Sequence, residues 1–137
     1  MNRLPHIRLA LAFALVALVA PAARADAVDE LLQQYKAQGA GPFTVAAGEQ
    51  FWDRPVTDPK NGEVRRCSLC HTTNLRNVGK HAQTGKRIEP LAPSANPERL
   101  TDKSKIEKWL VRNCKWVLSR ECTPQEKGDV LVMIKSR

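Results

Sequence analysis

The sequence is short of the residues that most often carry metal or acid–base chemistry. It has two methionines and three histidines in 137 residues. Met1 is the initiator, and His6 lies in an apolar leader. No set of acid, base and nucleophile stands out, so nothing in the pattern argues for general acid–base or nucleophilic catalysis. After residue 20 no apolar run approaches the roughly 20 residues that cross a bilayer. The basic residues are scattered rather than massed and form no nucleic-acid-binding module. There is no convincing strand periodicity, no internal repeat and no low-complexity tract.

Charge and cysteine are present in quantity. Residues 1–25 read as a cleaved secretory signal peptide: Arg3 and Arg8, an apolar run from Leu9 to Ala20, then Ala23-Arg24-Ala25 as an A-x-A cleavage site. Residues 26–137 then form one domain. The full chain has a net charge of +8. Without Arg3, Arg8 and Arg24, 19 basic residues face 14 acidic ones, leaving +5. That field suits docking on an acidic protein surface, and equally suits a merely soluble one. Export places all four cysteines in an oxidising compartment, the periplasm, with no membrane-spanning segment left after cleavage.

Four helical segments are expected. The first, Asp26 to Gln38, carries Val28, Leu31, Leu32 and Tyr35 on one stripe, with Asp26 and Gly39 at its ends. After the break at Gly41-Pro42, Val45 to Trp52 makes a second, with Gly48 marking a close backbone approach. The third runs from Ser104 to Leu118 behind a Ser104-x-x-Glu107 capping box. Its stripe holds Ile106, Trp109, Leu110, Asn113 and Val117. The fourth opens at Thr123-Pro124 with Glu126 closing its box, and points Val130, Leu131 and Ile134 inward. Residues 72–100 form a long loop with little periodicity, which a bound group would have to organise.

Between the second and third helices stands Cys67-Ser-Leu-Cys70-His71. C-x-x-C-H is the pattern of covalent haem attachment. Thiols at i and i+3 of a helical turn point the same way and can add to the two haem vinyl groups. His71 then offers its imidazole to the iron, and its other ring nitrogen should find an acceptor, for which the carbonyls of Pro90 and Pro93 are candidates. A zinc site is a poorer fit, because Cys114 and Cys122 are too far apart in sequence for a second ligand pair. A thioredoxin-like motif lacks its βαβ context. One haem c is therefore the expected cofactor, and Cys114 and Cys122 remain as a pair.

The scarcity of Met and His now matters, because haem iron has two axial positions. Met133 sits among apolar positions of the last helix and reads as core. His81 is either a solvated loop residue or the second ligand of a bis-histidine site. Asn113 lies on an apolar stripe, where an amide without partners costs about 1–3 kcal/mol. It is either an iron ligand or a residue that caps backbone where the helix ends.

The stretch "PLAPSANPERLTDKSKIEKWLVRNCKWVLSRECTPQEKGD", with the haem motif and the "TGK" before it, resembles the sphaeroides haem protein (SHP) family of small periplasmic monohaem cytochromes. The resemblance covers most of residues 26–137. It implies an all-α, class I cytochrome c-like domain around one covalent haem. It implies Asn113, in the R-N-C motif, as the iron ligand opposite His71, with His81 as the rival. It implies a disulfide between Cys114 and Cys122, which would limit how far Asn113 moves. An amide oxygen is a neutral, hard ligand that favours ferric iron. Its release on reduction would open a position for O2, NO or CO. The resemblance thus implies a ligand-binding redox protein that exchanges electrons with c-type or membrane b-type cytochromes. The alternative is a plain six-coordinate electron carrier. An enzymatic role stays open, linked at most to oxygen or NO. Trp109 and Leu110 would line the haem-facing wall, and Lys86 and Arg87 would meet a propionate or face water.

Overall fold

The computed structural model describes residues 26–137, and the proposed leader over 1–25 lies outside them. The described residues fold into a small helical domain. Its long helices are α1 (Ala27–Ala37), α2 (Val45–Asp53), α4 (Lys103–Leu118) and α5 (Pro124–Lys135), with the single turn α3 (Ser68–His71) between α2 and α4. Among these residues no helix is long and apolar enough to cross a membrane.

Two small antiparallel hairpins correct the expectation of no strands. β1 (Val56–Thr57) pairs with β2 (Val64–Arg65), and β3 (Gly79–Lys80) with β4 (Arg87–Ile88). Strands of two residues are too short to show alternation in the sequence. Each hairpin turns through a glycine, Gly62 and Gly85, with positive φ values of 75° and 68° between the paired segments.

The core has two parts joined by α5. Val28, Leu31, Tyr35, Ile106 and Leu131 bring α1, α4 and α5 together. Trp52, Leu75, Ala92, Val130, Met133 and Ile134 bring α2 and the 72–100 segment onto the other side of α5. Val130, Leu131, Met133 and Ile134 are all buried, so α5 is covered over more than the single stripe its sequence suggests. Met133 is 2% exposed and belongs to this core. Burying each such side chain is worth about 1.5–3 kcal/mol.

α2 and α5 touch at Gly48. A Cβ there would stand 2.3 Å from the Asp129 carbonyl oxygen and 2.6 Å from the Met133 Cβ. Asp129 fastens the same crossing: one carboxylate oxygen accepts from the Thr44 amide at 2.8 Å, the other from Gln125 Nε2 at 3.0 Å. A buried carboxylate so partnered avoids the cost of a lone buried charge. On the other side of α5, the buried Tyr35 hydroxyl donates to Glu107, which also accepts from Lys127 Nζ at 2.9 Å. Burial, reinforced by that carboxylate, holds the Tyr35 phenol well above its usual range, so it stays protonated.

The cap of α4 differs from expectation. Asp102 is the N-cap and accepts from the amides of Ser104 at 2.9 Å and Lys105 at 3.1 Å. A carboxylate is the stronger acceptor at a helix start, which leaves Glu107 to Tyr35 and Lys127. The cap of α5 is as expected: Thr123 Oγ1 accepts from the Glu126 amide, and Glu126 accepts from the Thr123 amide at 2.9 Å. Arg120 adds a two-pronged contact to Glu126 at 2.7 and 2.8 Å.

Glu126 carries a pH prediction. The Arg120 guanidinium, with the Thr123 amide, holds its carboxyl at about 2 against an ordinary 4.5. A folded value below the unfolded one means stability that is complete above pH 4.5 and is lost as pH falls towards 2. Glu126→Gln keeps the capping geometry and removes the charge. It should cost about 1 kcal/mol at pH 7, since solvent screens the pair, and shrink to nothing near pH 2. Urea unfolding of both chains from pH 7 to pH 2 checks this. A loss that does not depend on pH would refute it.

The 72–100 segment supplies much of its own frame. Leu75 is 2% exposed, and its carbonyl accepts from the amides of Leu91 and Ala92, both at 3.0 Å. Arg99 donates from Nε to the Pro90 carbonyl and from Nη2 to the Glu89 carbonyl, each at 2.9 Å. A bound group is thus not the only organiser of this loop.

Candidate haem-binding site

Cys67, Cys70 and His71 lie on one turn. Cys67 is the N-cap of α3, and the Cys70 and His71 amides both donate to its carbonyl, at 3.3 and 3.2 Å. Both cysteines are free and half-buried, and Cys67 packs against the Trp52 core cluster. Burial pushes the Cys67 thiol up to about 12. A thiol held neutral is a poor thiolate ligand for zinc and a slow redox nucleophile. Among the described residues no three His, Cys, Asp or Glu side chains converge as a metal site.

The turn is clamped from both sides. Trp52 Nε1 donates to the Thr72 carbonyl at 2.9 Å, and Thr72 leaves the helix with φ 66°. The Trp52 and His71 rings lie 5.6 Å apart. The β3–β4 hairpin covers the opposite side. A Cβ on Gly79 would meet the Cys70 carbonyl oxygen at 2.2 Å, so only glycine lets the hairpin approach. The Ala82 amide reaches Cys70 Sγ at 3.3 Å.

His71 Nδ1 is buried without a hydrogen-bond partner. The expected acceptors do not serve it. The Pro90 carbonyl instead accepts from Asn96 and Arg99, at 3.3 and 2.9 Å. Burial, then the positive charge of Arg99, holds His71 down to about 4, so the imidazole is neutral, the form that binds metal.

The other predicted residues fall in different places. Asn113 is half-buried on the inward stripe of α4, between Leu110 and Val117. Cys114 and Cys122 bring their sulfurs to bonding distance, with Cα atoms 5.5 Å apart. His81 sits in the β3–β4 turn, where Nδ1 accepts from the amides of Gln83 and Thr84, both at 3.3 Å. Leu110 packs on both core clusters. Trp109, one turn before Asn113 on the same face of α4, is 48% exposed, with the Arg112 guanidinium over its ring at 5.2 Å. Lys86 and Arg87 are exposed, and Arg87 pairs with Glu89 at 2.7 Å.

Sequence reasoning passed over Arg65, which stands two residues before Cys67. Its guanidinium contacts Asp58, Glu63 and the Trp116 carbonyl. The "RR" before the motif was the one signal available, and it does not distinguish a buried arginine from a solvated one.

These residues fit a covalently held haem. Two half-buried thiols share one turn, a neutral imidazole follows them with one nitrogen still unsatisfied, and the half-buried leucines 91, 100 and 110 lie around the same core cluster.

Known proteins agree with that fit. A family described as a domain of unknown function (DUF1924) matches residues 38–134. The cytochrome c-type protein SHP of Cereibacter sphaeroides is 38% identical over 108 residues, covering 79% of this chain and 82% of that protein. Cytochrome c'' of Methylophilus methylotrophus is 35% identical over 112 residues, covering 77% of each. The structure of oxidized SHP, described as an oxygen-binding cytochrome c, superposes with a TM-score of 0.72 at 35% identity, over 82% of this chain and 98% of that one. Oxidized cytochrome c'' gives 0.71 at 33% identity, over 81% and 94%. A small helical domain with a C-x-x-C-H turn, matched along most of its length by such proteins, is a c-type cytochrome, a class whose cofactor is covalently bound haem c. The chain belongs to the family of SHP and cytochrome c'', and residues 38–134 belong to the DUF1924 domain family.

Proposed function

We propose that the mature chain, residues 26–137, is an exported, periplasmic monohaem cytochrome in which haem joins Cys67 and Cys70 and the axial ligands are His71 and Asn113. Haem supplies a redox-active iron with two axial positions. His71 holds one of them as a neutral imidazole fixed by Trp52, Thr72 and the Gly79 approach. Asn113 offers a neutral amide oxygen to the other. Such a ligand favours the ferric state, and its release on reduction leaves a position that O2 or NO can take. A disulfide between Cys114 and Cys122 keeps the released amide close, so that it returns on oxidation. Electrons come from a c-type or membrane b-type cytochrome, for which the +5 charge of residues 26–137 favours an acidic docking face.

The observation that carries this reading is the place of Asn113: half-buried on the inward stripe of α4, beside the Cys114–Cys122 contact. The relatives support the gas-binding part. SHP is described as an oxygen-binding cytochrome c, and the solution structure of cytochrome c'' is described as giving insight into haem-ligand detachment. His81 is the weaker candidate, because its Nδ1 accepts from two amides of its own turn, which leaves the ring proton on Nε2, the nitrogen that would face a metal.

Absorption spectra test the proposal. The ferric holoprotein should be low-spin, the dithionite-reduced protein high-spin, and CO should shift the reduced spectrum. In Asn113→Met the reduced protein should stay low-spin and ignore CO. A low-spin reduced wild type indifferent to CO would instead mean a closed six-coordinate electron carrier, with His81→Ala the next variant to examine.

A further inference from the structure

Arg65 is an enclosed cation next to the haem-bearing turn. Its side chain is 11% exposed. Nη2 contacts Asp58, itself 4% exposed, at 2.5 Å, and Glu63 at 3.1 Å. Nη1 donates to the Trp116 carbonyl at 2.9 Å. The guanidinium also lies over the Trp116 ring, 4.8 Å from its centre. One arginine therefore joins the end of the β1–β2 hairpin, two residues before Cys67, to the last turn of α4.

The Trp116 carbonyl is one of the four that end α4, which a helix cannot satisfy from within. Arg65 satisfies it and, by stacking, also fixes the direction of that turn. Asp58 keeps the buried guanidinium from being an uncompensated charge. Lysine has no planar fork and cannot make the carbonyl bond, the carboxylate contact and the stack together. Asn113 lies three residues before Trp116 on the same helix, with Cys114 between them tied to Cys122. The stretch that bears the amide is thus held twice, by the sulfur contact and by Arg65.

We infer that Arg65 is a positioning residue for the distal amide, which locks the last turn of α4 to the haem-bearing segment and so sets how readily Asn113 leaves the iron. This rests on the reading of Asn113 as ligand.

The test uses the holoprotein with Arg65→Gln and Arg65→Lys, each alone and combined with Asn113→Ala. The readouts are the ferric spin state, the rate at which cyanide combines with the ferric protein, and amide hydrogen exchange over residues 113–118. Cyanide must wait for the amide to leave. Both Arg65 variants should react about tenfold faster than wild type, show more ferric high-spin signal, and exchange faster over 113–118. In the Asn113→Ala background neither should change the cyanide rate further, because the gate is already gone. Arg65→Lys retains a charge for Asp58 and carries the test if Arg65→Gln does not fold. Unchanged spin state and cyanide rate in Arg65→Lys would overturn the inference, as would an equal acceleration in the Asn113→Ala background. If Asn113→Ala itself leaves the ferric spectrum unaltered, the ligation reading fails and takes the inference with it. If Asn113→Ala alters the spectrum and the Arg65 variants do nothing, only the inference falls.

Discussion

A chain carrying both Cys67→Ser and Cys70→Ser is expected to lose covalent haem completely. Thioether bonds survive denaturation, whereas axial ligation does not, so the wild-type band on a denaturing gel should stain for haem and the double variant's should not. Each single variant should retain a weaker band, since one thioether remains. The half-buried state of the thiols matters here. Burial holds Cys67 protonated, so it is not drawn off as a thiolate ligand or into a rapid disulfide exchange. The loss should also be felt in stability, because the tethered haem makes its apolar contacts and axial bonds only in the folded chain, and its removal takes them away. The double variant should melt well below wild type, read by circular dichroism at 222 nm. A haem-stained band in the double variant would sink the assignment of these two residues.

Gly48→Val is expected to have the largest effect on the fold. The added Cβ would stand 2.3 Å from a backbone carbonyl oxygen on α5 and 2.6 Å from the Met133 Cβ. Neither neighbour is the far end of a flexible side chain, so α2 and α5 must separate. Separation opens the cluster of Trp52, Val130 and Met133 and pulls Thr44 from Asp129. Overpacking costs about 1–3 kcal/mol in ordinary cases and more where backbone is forced apart. About 4 kcal/mol is expected here, a large part of the 5–15 kcal/mol that holds a typical domain together. Gly62→Ala is the control: nothing lies within 4 Å of its added Cβ, and its positive φ should cost only about 1 kcal/mol. Urea unfolding separates the two, and a Gly48→Val chain within 1 kcal/mol of wild type would contradict the packing argument.

Much of this could be read along the chain. The stripe of α1, the box at Thr123 and Glu126, and the haem turn all depend on neighbours within four residues, and spacing alone reports such geometry. Gly48 was legible for a related reason: a glycine that interrupts a helix is tolerated where something comes close. The cap of α4 was misplaced by two residues, because Asp102 and Ser104 both suit the role and only the surroundings chose between them. The hairpins were missed because two-residue strands leave no period.

The sequence by itself determined the cofactor class and the four long helices in their order, because each is written in local spacing and in motifs a few residues long. Tertiary structure decided which polar groups those elements share. Tyr35, Glu107 and Lys127 come from three helices, and Arg65 reaches Trp116 across a separation of 51 residues. Hydrogen bonds and ion pairs act over about 3 Å. Nothing in the chain records which distant residues folding will bring within that range.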